Sequence, residues 1–64
     1  MNAQITIINL IRKIVQWDKE NQKLEVSEHQ FMSEIVQGKK ELTDVNKKIV
    51  VEYLNKVKKY GFGQ

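Results

Sequence analysis

Residues 3–20, AQITIINLIRKIVQWDKE, carry the pattern that decides the fold. At about 100° per residue, Trp17, Leu10, Ala3, Ile14, Ile7, Ile11, Val15 and Ile8 fan across roughly half of a helix circumference. Ile5-Thr6-Ile7-Ile8 taken alone reads as a strand, because three of its four residues are isoleucine and the fourth is threonine. The helical period nevertheless continues through Ile11, Ile14, Val15 and Asp18, which favours a helix over about 3–21 with Asn2 as its N-cap. The apolar arc is wider than a helix resting on one core needs, and Ile5 falls outside even that arc. Either two elements clamp this helix, or part of its face awaits another molecule. The second alternative predicts a protein interface built on Ile5, Ile8, Val15 and Trp17. A second copy of the chain in a symmetric dimer, or a target protein, would cover it. Lys13 stands four residues before Trp17, where its ammonium can lie over the indole.

Two further helices follow. Ser27 with Gln30 three residues on fits a capping box, and Val26 and Phe31 fall at hydrophobic-staple positions, so a helix is expected over about 28–37. Phe31, Met32, Ile35 and Val36 share its apolar face, and Gly38 is placed to close it in the left-handed conformation. Thr43 as N-cap and Asp44 in the first turn open a third helix over about 44–60. Val45, Ile49, Tyr53, Val57 and Tyr60 line one side, flanked by Val50 and Leu54. Lys56, Lys58 and Lys59 favour its C-terminal dipole, and Gly61-Phe62 suits a Schellman ending with Phe62 against Val57. The segment Asp18 to Glu25 is polar and forms the connection, with Leu24 expected to tuck inward. The chain therefore reads as all-α, a single three-helix domain over 1–64, stabilised by self-association or by efficient helix packing.

Composition agrees. The chain has 64 residues, no proline and three glycines, two of them in the last four positions, so its body holds few helix breakers. A domain of this size buries about 60% of its unfolded surface and needs help to be stable. Cysteine is absent and there is one histidine, which leaves neither a disulfide nor a zinc set, and no cofactor is expected. The apolar start lacks a basic leader and a small-residue cleavage site, and its charges bar a membrane span. A cytoplasmic protein without membrane attachment is expected.

Enzyme chemistry finds little support. Ser27 and His29 point in different directions at a helix start, and Ser27 already serves as the expected cap. His29 flanks Met32 and Val36, which suits a half-exposed structural role. Glu25 with Glu28, and Glu41 with Asp44, compensate helix dipoles. The expectation is a non-enzyme.

The outer side of the third helix collects Lys47, Lys48, Val51, Asn55 and Lys58. Asp44–Lys48 and Glu52–Lys56 fall in the favourable i,i+4 order. Val51 is an aliphatic residue in mid-row that the core cannot easily reach. The row suits contact with a partner or with nucleic acid. The net charge of +3 rests on lysine in ten of eleven cases, whereas base recognition more often enlists arginine. A helix-turn-helix also wants a tighter turn than Gly38–Leu42 and no carboxylate at the start of its recognition helix.

The run Phe31-x-x-x-Ile35-x-x-Gly38-x-x-x-Leu42-Thr43-x-x-Asn46, continued by Val50 and Tyr53, resembles a helix–turn–helix segment of small bacteriophage-encoded proteins. The resemblance covers about half the chain and carries over no functional residue. It implies an intracellular phage product, in the host cytoplasm, that works by adhering to a host or phage macromolecule. The expected function is thus a protein-binding accessory or inhibitor acting through an apolar helical surface as a homo-oligomer. The alternative is a nucleic-acid-binding module that uses the lysines of the third helix.

Overall fold

The computed structural model describes residues 3–63, with side chains in the first helix from Thr6 onward. Three helices fold together: α1 (Ala3–Asn21), α2 (Val26–Val36) and α3 (Asp44–Lys59). The fold is all-α, as expected. No helix among the described residues is long and apolar enough to cross a membrane.

α1 lies at the centre. Its backbone runs along α2 and approaches α3 over a shorter stretch. Ile11 and Ile14 are fully buried between them, and Val15 is 8% exposed. They meet Leu24 from the connection, Met32 and Ile35 from α2, and Val50 and Val57 from α3. Burying each of these side chains contributes about 1.5–3 kcal/mol. The broad apolar arc of α1 is therefore clamped from two sides. Ile7, Leu10 and Trp17 pack as partly buried neighbours of the same core.

Both glycine endings form as expected. At the end of α2 the Lys39 and Gly38 N–H groups donate to Glu34 and Ile35 carbonyls at 2.9 and 3.2 Å, with Gly38 at φ +78°. At the end of α3 the Phe62 and Gly61 N–H groups donate to Val57 and Lys58 carbonyls at 3.0 and 3.2 Å, with Gly61 at φ +108°. These are Schellman motifs, and each needs a residue without a Cβ penalty in the left-handed region. Thr43 caps α3 as expected, its hydroxyl accepting from Asn46 N–H at 3.1 Å. Asn2, the expected cap of α1, lies outside the described residues.

The start of α2 differs from the expectation. The helix begins at Val26, one residue before the expected cap Ser27, and Glu25 is its N-cap. Glu28 reaches back to accept the Glu25 N–H at 2.8 Å. Leu24 is already drawn into the core, so the chain has turned into helix before Ser27 is reached. Val26 is 84% exposed and staples nothing.

α3 is also turned relative to the expected core face. Val50 and Val57 are its buried residues, while Val45 and Tyr60, expected on the inner side, are exposed. The flank bearing them is held at the domain edge. There Lys56 Nζ lies 2.7 Å from Glu28 Oε1, and Tyr53 meets Phe31 edge-to-face at 5.6 Å. The expected Glu52–Lys56 pair is thus replaced by a longer-range one between α3 and α2.

Candidate functional site

One hydrogen-bonded hub holds α1 to α2. Asp18, in the last turn of α1, is 3% exposed. Its Oδ1 accepts the N–H groups of Lys23 and Leu24 at 2.8 and 2.9 Å, and its Oδ2 lies 2.7 Å from His29 Nδ1. An ionised carboxylate can only accept, so the imidazole donates from Nδ1. Burial pushes the Asp18 carboxyl up, but the Leu24 N–H, His29 and the Lys23 N–H favour the ionised form more. Its pKa consequently lies below the ordinary 3.8. The hub floors an open groove of about 780 Å³ lined also by Lys19, Leu24, Glu25 and Val26. No serine, threonine or cysteine lines that groove, and its rim carries both signs of charge. His29 forms a strut between the two helices, and Asp18 is the acceptor that ends one helix and turns the chain toward the next.

The residues expected as an interface on α1 are separated rather than gathered. Val15 belongs to the core of the protomer and offers no outer surface, because α1 is covered where that valine lies. Trp17 is half-buried with its ring edge-to-face on Phe62, centroids 5.8 Å apart. Its predicted contact with Lys13 gives way to this aromatic pair. The cation–π contacts that form are instead Lys23 over Tyr60 and Lys40 over Phe31. Ile8 is half-buried in a shallow groove beside Ile35 and Leu42. The side chain of Ile5 lies outside the described residues. The accessible surface of the protomer, 4638 Å², is within about a tenth of that expected for a monomer of its mass. Of the described residues of the expected interface, Val15 is absorbed within the protomer, while Ile8 and Trp17 keep part of their surface.

The row on α3 does stay at the surface. Lys48, Val51, Asn55 and Lys58 are exposed and Lys47 is half-buried. Lys47, Val51, Leu54 and Lys58 stand at i, i+4, i+7 and i+11, one stripe of the helix. Val51, 53% exposed, and half-buried Leu54 form its centre, with a lysine at each end. Beside Leu54 and Lys58 opens a groove of about 330 Å³, completed by Leu10, Phe62 and Gly63. Sequence reasoning placed the lysines and Val51 but missed Leu10, Leu54 and Phe62 as their neighbours. Those residues come from α1, α3 and the C-terminal turn, and no local signal joins them.

The charge of this face is uncommitted. Among the described residues the ion pairs are His29–Asp18 and Lys56–Glu28; Lys47, Lys48 and Lys58 take part in neither. The expected Asp44–Lys48 pair is not formed. An apolar centre with an adjacent cleft and a rim in which Lys47, Lys48 and Lys58 outnumber the exposed Asp44 can accept an apolar side chain with polar groups around it.

The chain matches no known family model, no curated protein and no solved structure.

Proposed function

We propose that this protein acts by binding another protein through the outer face of α3, without catalysing a reaction. The observation that carries the reading is Val51, half-exposed between Lys47 and Lys58 and next to the Leu10–Leu54–Phe62 cleft. One exposed valine is ordinary on a surface. Its continuity with an apolar cleft, inside a rim of lysines that neutralise nothing else, is what marks this face. The apolar centre favours a protein over a nucleic acid. Phosphate contacts would use the lysines and leave Val51 and Leu54 without a role.

A photo-crosslinking amino acid at position 51, with position 30 on α2 as control, tests the reading in cells that make the protein. The expected result is one protein captured from position 51 and not from position 30. Its affinity after purification should fall about 10- to 100-fold on Val51→Glu, the loss of about 1.5–3 kcal/mol expected for a buried valine. Affinity should fall only modestly with salt, as a few exposed ion pairs around an apolar centre are screened. Capture of nucleic acid, with affinity falling about a thousandfold or more between about 50 and 200 mM salt, would overturn the proposal.

A further inference from the structure

We draw no further inference here: the strongest candidate, the apolar patch of Val51 and Leu54 on the outer face of α3 with its Leu10–Phe62 cleft, is rimmed by Lys47, Lys48, Lys58 and Asp44, and nothing in the structure shows what covers it.

Discussion

His29 Nδ1 lies 2.7 Å from Oδ2 of Asp18, eleven residues earlier in the chain, so one carboxylate joins α1 to α2 while also ending the first helix. The same residue's main-chain carbonyl accepts the Gln22 N–H at 2.7 Å. Backbone groups of three consecutive residues, 22 to 24, are thereby satisfied by Asp18 alone. Removing the side chain leaves two N–H groups and an imidazole without their acceptor. Asp18→Ala is expected to cost about 2–4 kcal/mol, a large share of the stability of so small a domain. Asp18→Asn, which keeps an acceptor for the two N–H groups, should cost less. Urea unfolding followed by circular dichroism measures both, and a loss under about 1 kcal/mol for the alanine variant would show the hub to be incidental.

Acid should weaken the fold through the same hub. The Asp18 and Glu28 carboxyls both lie below their ordinary values of 3.8 and 4.5. For Glu28, burial acts upward, and the Lys56 ammonium and the Glu25 N–H outweigh it. A carboxyl with a depressed folded pKa adds stability that is fully present above its unfolded value. That stability disappears as pH falls through the folded value. The urea midpoint should thus hold steady above about pH 5 and decline as pH drops through and below 4.5 and 3.8. Asp18→Asn should flatten the lower part of that decline. If the two proteins lose midpoint in parallel on acidification, the Asp18 contribution is absent.

Gln22 is the residue whose backbone the fold strains. It sits at φ +52° directly after α1, where helices usually place glycine. The left-handed conformation costs a residue with a Cβ about 1–2 kcal/mol. Part of that gain is offset by the freedom glycine has in the unfolded chain. Gln22→Gly should stabilise the protein by about 0.5–1 kcal/mol and raise Tm by a few degrees. Gly38→Ala should do the reverse by a similar amount. A Cβ at Gly38 would meet no atom within 4 Å, so backbone strain accounts for the whole effect. A thermal melt that moves opposite to these directions would refute the assignment.

These residues also mark how far local signals reach. Thr43, Gly38 and Gly61 act on neighbours a few residues away, and the ends they set are legible without a structure. The start of α2 is decided by Asp18 across the connection, so Ser27, the better cap by residue type, loses to Glu25. The orientation of α3 is set by Val50 and Val57 packing into the core against α1 and α2, which periodicity cannot show, because Val45 and Val50 are equally apolar. The breadth of the α1 arc was visible, but whether α2 and α3 would cover Val15 and Trp17 depended on packing. For the candidate site the lysines and Val51 were readable as a row, whereas the cleft beside them exists only once Leu10, Leu54 and Phe62 have been brought together.

Phe62 makes the last of those contacts observable. The Schellman turn at Gly61 directs it onto Trp17, the one tryptophan of the chain, and edge-to-face pairs add about 0.5–1.5 kcal/mol beyond burial. Gly61→Ala forces a Cβ onto a backbone at φ +108° and should swing the C-terminal turn away from α1. The indole, already half-buried, would then meet more water, so its fluorescence should shift to longer wavelength while the helical signal stays near that of the parent. Phe62→Ala should give the same spectral shift without the backbone strain, and a double-mutant cycle of Trp17→Ala with Phe62→Ala should return a coupling within the range given for such pairs. The cleft on α3 loses one wall in both variants. An unchanged emission maximum in Phe62→Ala would mean that Phe62 does not shield Trp17 in solution, and the groove at Leu54 would then lack one of its sides.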